Sequence, residues 1–301
     1  MNIMNLEIFI VLLLTFAFAA CGQETKTTDK FKKGIVLSEM KDKKLKEVSG
    51  VASSVNNKGL LWAHNDSGNS PEIYLLNEKL EIVATCHLAG IENRDWEDIA
   101  VGPGPDPEKT YVYVADIGDN DSTHPYKFIY RFEEPVISTG PSEINVSSID
   151  KIVFRLQGET KDTESLLIDH KTKNLYVVSK RENPVHLYEI KYPYTPKDTV
   201  TALDVMSLPF AQIVAADYSK RGDILMKNYE NIYYWENAAN EDVITLLKKQ
   251  PSQVEYKREP QGEAIAWAVD GSGFYTLSEK KKKDQSFLYF YEKTVAQTSN
   301  Q

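Results

Sequence analysis

The stretch EDIAVGPGPDPEKTYVYVAD, Glu97 to Asp116, contains a unit that the rest of the chain repeats. A short apolar run, Ile99 to Val101, leads into a segment of Gly, Pro and Asp, and YVYVA follows it with aromatic and β-branched residues in alternation. Such a pattern predicts two antiparallel strands and the turn between them. Aligning Val51, Ile99, Leu166, Ala216 and Ile265 superposes four further segments on this one: SGVASSVNNKGLLWAHND, ESLLIDHKTKNLYVVSKRE, AADYSKRGDILMKNYE and EAIAWAVDGSGFYTLSEK. The intervals are 48, 67, 50 and 49 residues, a period in the range of solenoid and propeller repeats.

A third strand follows each time, in EIYLLNE, KFIYRFEE, VHLYEIK, NIYYWEN and SFLYFYEK. A fourth completes the first four units, in LEIVATCHL, DKIVFRLQG, VTALDVMSLP and VITLLKK. The fifth unit runs into the carboxyl terminus without one, and KGIVLSEM, Lys33 to Met40, is a spare amino-terminal strand that can supply it. Four-stranded units closed by joining the two termini predict an all-β chain folded as a β-propeller of five blades over residues 33–294. The longer interval is read as an insertion around EEPVISTGPSEINVSSID and not as another blade.

The combination of LLWAHNDSG (60–68), DWEDIAVGPG (95–104) and VADIGDN (114–120) resembles the NHL and TolB-like propellers. It is similar to a group of exported bacterial propellers, some of them called phytase-like or esterase-like. The resemblance implies a propeller over nearly the whole mature chain and leaves activity open, because propellers host unrelated functions. That group is mostly six-bladed, so six blades is the alternative to the five counted here.

The amino terminus reads as a processing signal. IFIVLLLTFAFAAC, Ile8 to Cys21, is too short for a comfortable membrane span and ends in Ala19, Ala20 and Cys21, which resembles the bacterial lipobox. Phe18 stands where Leu is usual and MNIMNLE carries no Lys or Arg, so an ordinary secretory signal is the alternative. The chain divides into a signal peptide (1–20), a flexible tether (21–32), the propeller and a polar tail (295–301). The resemblance implies lipidation at Cys21 and a place in the cell envelope at the outer membrane, with the lipid anchor as the sole membrane contact. Once Cys21 is modified, Cys86 is the one remaining thiol, which leaves no intramolecular disulfide.

Thirty-five Lys and Arg against 44 Asp and Glu give a net charge of −9, which disfavours a nucleic-acid partner. In a propeller, the residues entering each inner strand and the loops from second to third strand share one face. That face receives Glu97, Asp98, Glu164 and Glu263, together with HNDSG, DIGDN, SKRE, NYE and SEKKKK. Crowded carboxylates call for a cation, for donors or for raised pKa values, and Ca2+ suits a set of oxygen ligands. Glu97, Glu164, Glu263, Asp116, Asp119 and Asn120 are the candidate metal ligands, and the alternative is that each Glu accepts backbone N–H bonds. His64, Asn65, Asp66, Lys180, Arg181, Asn228 and Glu279 are the candidate ligand-binding residues. Trp62, Trp96, Trp235 and Trp267 read as blade packing, and the opposite face receives only tight turns.

No G-x-S-x-G, H-E-x-x-H, P-loop or C-x-x-C pattern is present. The sequence therefore favours a monomeric, envelope-anchored binding propeller whose partner is a small molecule or an envelope or extracellular protein. A metal-dependent hydrolase, foremost a phosphoesterase, is the alternative, and catalytic residues are unassigned. The lipobox reading is checked by labelling cells with a fatty-acid analogue: Cys21→Ser should abolish labelling and detergent partitioning, since stable anchoring needs more than one acyl chain. Labelling that persists in the Ser variant would move the site.

Overall fold

The computed structural model describes residues 26–138, 140–280 and 284–294. The proposed signal, Cys21 and the polar tail lie outside the described residues, and so do Lys281 to Lys283. In chain order the strands are β1 (Ile35–Glu39), β2 (Val48–Ser53), β3 (Leu61–Asn65), β4 (Glu72–Leu76), β5 (Ile82–Leu88), β6 (Trp96–Pro103) and β7 (Thr110–Asp116). There follow β8 (Lys127–Glu133), β9 (Ser142–Val146), β10 (Asp150–Leu156), β11 (Thr163–Ile168), β12 (Leu175–Ser179), β13 (Val185–Ile190) and β14 (Val200–Leu208). The last seven are β15 (Ile213–Tyr218), β16 (Ile224–Asn228), β17 (Ile232–Trp235), β18 (Ser252–Val254), β19 (Ala264–Trp267), β20 (Gly273–Leu277) and β21 (Phe287–Glu292). No helix among the described residues is long and apolar enough to cross a membrane.

Antiparallel pairing sorts these strands into the aligned repeats: β2-β3-β4-β5, β6-β7-β8-β10, β11-β12-β13-β14, β15-β16-β17-β18 and β19-β20-β21-β1. The spare strand β1 pairs with β21, Val36 opposite Tyr289 and Glu39 opposite Phe287, so the amino terminus completes the last group. Hydrophobic clusters fill the spaces between successive groups. Ile99 packs with Trp62 and Ile73 of the preceding group, while its neighbour Ala100 packs with Leu166 and Val177 of the following one. Alternate side chains of one strand thus serve two cores, which is why the inner strands read as continuous apolar runs. The last group meets the first in the same way, through Ala264 and Ala266 against Val51 and Ala63, so the chain forms a closed all-β propeller.

Two aspartates, Asp98 buried and Asp217 partly buried, tie inner strands together. Asp98 accepts the N–H of Ile99 at 2.9 Å and that of Leu166 on β11 at 2.8 Å. Asp217 accepts those of Tyr218 at 2.8 Å and Trp267 on β19 at 2.7 Å. On the rim, β10 pairs in parallel with β14, Phe154 opposite Val200, and the insertion contributes β9 in parallel beside β5. All four Trp are buried in the blade packing, as their strand positions suggested, and Cys86 is a buried free thiol.

Two expectations are corrected. VITLLKK is not the fourth strand of its repeat: Val243–Leu247 is a helical turn, α1, capped by Asp242, whose carboxylate accepts the Thr245 N–H at 2.9 Å. Its buried residues Val243, Leu246 and Leu247 recur at helical spacing, and the short β18 takes the edge position instead. The proposed tether is also docked where it is described. Thr27 bridges to Gln253 and Phe31 bridges to Lys293. The buried Phe31 ring stands edge-on to Tyr234 and Phe274 at 5.0 Å in each case. Residues 26–32 therefore extend the folded body along the seam between the last two groups. Phe31→Ala should cost about 3 kcal/mol in urea unfolding, in the range for a buried Phe. An unchanged midpoint would make the segment a tether after all.

Candidate functional site

The loops entering the inner strands meet the loop between β3 and β4 over the mouth of the channel. Oxygens of Asp66, Asp95 and Glu97 lie within 4.8 Å of one another, and so do oxygens of Glu97, Asp162 and Glu164. Glu97 is common to both sets and joins five carboxylates into one cluster. The backbone makes room for it at Gly118, where a Cβ would stand 2.2 Å from Glu97 Oε1 and 2.3 Å from Asp95 Oδ2. No other residue fits that position without displacing the acids.

The compensating groups sit on one side. Lys180 Nζ is 2.9 Å from Glu164 Oε1, and its ammonium lies 5.7 Å from the centre of the Tyr229 ring. Arg181 Nε is 2.7 Å from Asp162 Oδ2, whose other oxygen accepts the Asp119 N–H at 2.9 Å. Lys127 is buried and donates to the Ile117 carbonyl at 2.5 Å. Burial pushes Asp95 up to about 6, helped by the charges of Asp66 and Asp162. Burial pushes Glu164 up to about 7 against the pull of Lys180, and lowers Lys127 to about 8. Burial and then the Glu164 charge hold Glu97 well above the carboxylate range, and protonated Glu97 donates a hydrogen bond to Glu164. The site as folded holds more acid than its cations neutralise.

Of the six candidate metal ligands, only Glu97 and Glu164 enter this cluster. Asp116 stands behind it, accepting the Asp95 N–H at 3.1 Å and lying 3.4 Å from Arg94 Nε, so it positions Asp95. Asp119 caps a turn through the N–H groups of Thr123 at 2.8 Å and His124 at 2.9 Å. Asn120 accepts from Arg181. DIGDN thus borders the site through the bare backbone of Gly118, and its acidic side chains are spent on local structure. Glu263 lies beyond Lys180, where it accepts the Tyr229 hydroxyl at 2.5 Å and is raised by burial.

Among the candidate ligand-binding residues, Asp66 joins the cluster and Lys180 and Arg181 neutralise part of it. His64 is fully buried, with Nδ1 3.3 Å from Ser49 Oγ and its ring edge-on to Trp96 at 5.7 Å. Burial lowers it to about 4, so it is a neutral packing residue at neutral pH. The inner strand comes close because residue 50 is Gly: a Cβ there would lie 2.4 Å from His64 Nε2. Asn65 donates to the Lys44 carbonyl at 2.6 Å, and Asn228 accepts the N–H groups of Glu230 at 3.0 Å and Asn231 at 2.8 Å. Glu279 donates its N–H to the Gln261 carbonyl at 3.0 Å.

Asp95 and Asp162 were missed, although the sequence carries their signal: Asp95-Trp96-Glu97 and Asp162-Thr163-Glu164 repeat an acid two residues before the inner-strand Glu. Asp98, beside Glu97, takes the role of backbone acceptor that the alternative reading gave to the Glu residues.

Fold and site together define a β-propeller with an acidic channel mouth. No protein-family model and no curated protein matches the chain. Among solved structures it is similar to the Pan2 WD40 domain of Neurospora crassa, at 10% identity and a TM-score of 0.45, over 90% of this chain and 98% of that one.

The raised carboxyls set a pH dependence. Asp95 and Glu164 have ordinary values of 3.8 and 4.5 and titrate near 6 and 7 in the fold. Between roughly pH 4 and 7 the native chain therefore binds more protons than the unfolded one, and stability falls as pH rises through that window. With divalent ions chelated, the melting temperature should drop from pH 5 to 7.5, and Glu97→Gln should flatten the drop. A melting temperature that rises over the same range would show that the acids are fully compensated.

Proposed function

We propose that the chain is an envelope-anchored binding propeller that holds a divalent cation, foremost Ca2+, at its acidic mouth and uses it to bind a ligand there. The observation that carries this reading is the convergence of five carboxylates on Glu97 with protons retained near neutral pH. A cation replaces those protons, and Ca2+ accepts carboxylate and carbonyl oxygens in flexible geometry. Asp66, Asp95, Glu97, Asp162 and Glu164 are the residues that would hold it.

Next to the cluster, a groove of about 460 Å³ runs past Gln212, Asn228, Tyr229, Arg258 and Gln261. Tyr229 links the two places, because its hydroxyl bonds Glu263 while Lys180 lies over its ring. Arg258, mostly exposed and 3.4 Å from Glu230, is available to an anionic group on the ligand. A small molecule or a loop of an envelope or extracellular protein fits such a groove, with the anchor at Cys21 keeping the propeller at the membrane.

The alternative, a metal-dependent phosphoesterase, is favoured by one feature: Glu164 titrates near 7, where a carboxyl can take and return a proton. Phosphoester and ester substrates assayed with and without EDTA separate the two readings, since EDTA-sensitive turnover requires the hydrolase.

Saturating Ca2+ should raise the melting temperature, by mass action worth about 2.7 kcal/mol at a hundredfold excess over Kd. Glu97→Gln and Asp162→Asn should erase the gain, whereas Asp270→Asn, in an exposed turn where it accepts the Ser272 N–H at 2.9 Å, should keep it. If Ca2+, Mg2+ and Mn2+ all leave the melting curve in place, the cation is excluded.

A further inference from the structure

The opposite face is not merely a set of turns. Four inner strands, β2, β6, β15 and β19, deliver their last residues to a cavity of about 430 Å³ at the other end of the channel, and the turn after β11 adds His170 and Lys171; its size suits a small molecule. Its walls mix polar and apolar side chains, with Val55, Val101, Pro103, Pro107, Ala268 and Val269 forming the aliphatic part. Val55 and Val269 are 43% and 47% exposed, which leaves apolar surface in water around the opening.

Lysines outnumber acids at this mouth. Lys109, Lys171 and Lys220 stand around it from three different blades. Asp217 is the sole carboxylate among the lining residues, and both its oxygens accept backbone N–H groups, from Tyr218 at 2.8 Å and Trp267 at 2.7 Å. It is therefore committed to joining strands and does not neutralise the lysines. Of these, Lys109 is paired with Glu133 at 2.7 Å, while Lys171 reaches the Asn240 side-chain oxygen, a neutral acceptor. His170, stacked on Tyr218 with ring centres 6.2 Å apart, is held neutral by burial and adds a flat wall without charge. A cationic, partly apolar pocket in a chain of net charge −9 is a local reversal of the protein's own field.

We propose that this cavity is a second binding site, for a small amphipathic anion: a carboxylate or phosphate head held by Lys171 and Lys220, on an apolar body of the order of ten non-hydrogen atoms. The aliphatic walls take the body, and desolvation there gives the affinity. The lysines select the head by charge, and a neutral analogue with the same body loses that interaction. The site does not share a residue with the acidic mouth and needs no metal.

Octanoate, octyl phosphate and octanol serve as probes, titrated into the protein by calorimetry in the presence of EDTA. Octanoate or octyl phosphate should bind at millimolar Kd or better, with octanol at least tenfold weaker. Binding by octanoate alone assigns the head as carboxylate, and binding by octyl phosphate alone assigns it as phosphate. Lys171→Glu and Lys220→Glu should each weaken the anion at least fivefold, and Val269→Trp, at an exposed position on the opening, should block it. Lys43→Glu, the same charge change at an exposed position preceding β2, should have no effect. Glu97→Gln should bind the anion as the parent does, which separates this site from the proposed cation site. Equal binding of octanol, no heat from either anion up to several millimolar, or an equal loss in Lys43→Glu would each overturn the proposal.

Discussion

Every inner strand of this protein is buried on both faces, and neither face belongs to its own blade alone. Ile99 and Ala100 are adjacent in sequence yet sit in different cores, one shared with the preceding blade and one with the following. A single blade therefore cannot bury its apolar surface, and the fold exists only as a closed ring. The clasp between β1 and β21 is the consequence, since the first and last repeats must satisfy each other. Asp98 and Asp217 add a polar constraint to the apolar one. Each spans two inner strands with two backbone bonds, a use of a carboxylate at the inner strands that is tolerable because every oxygen has a donor.

That shared burial also explains what could be read from the sequence. Runs such as YVYVA and IYYW recur because strands inside each blade are covered on both faces by neighbouring blades, so the repeat and its closure were legible. α1 was misread because VITLL is short and apolar, and over five residues helical and alternating spacing are hard to tell apart. The docking of residues 26–32 rests on one aromatic, Phe31, in a polar stretch, and its partners Tyr234 and Phe274 are more than 200 positions away. No local pattern announces such a contact.

The site was half legible for a similar reason. A Glu at the start of an inner strand reaches the channel mouth by topology alone, and Glu97 and Glu164 followed that rule. Composition misled in DIGDN, where three oxygen-rich side chains suggested ligands. The tight turn consumes Asp119 in its own bonds, Asn120 accepts from Arg181, and the residue that matters to the acids is Gly118, by having no side chain. Asp116 acts at one remove, holding the backbone of Asp95. Four of the five acids that converge come from D-x-E pairs on adjacent blades, where the strand entry brings both carboxylates over the same opening, and Asp66 joins them from the β3–β4 loop.

Strand polarity then separates the two ends of the channel. At the entry ends, carboxylates crowd until burial and mutual repulsion keep protons on Glu97 and Glu164. At the exit ends, the single lining carboxylate is consumed by the Tyr218 and Trp267 N–H groups, and lysines surround partly apolar walls. Both arrangements follow from one geometric fact: a ring of parallel inner strands gathers like positions of every repeat at one mouth. A residue type repeated at the strand entry is multiplied into a field, and so is a type repeated at the exit. The cation and the anion proposed for the two mouths would therefore draw on separate residues, the acids at the entry ends and the lysines at the exit ends.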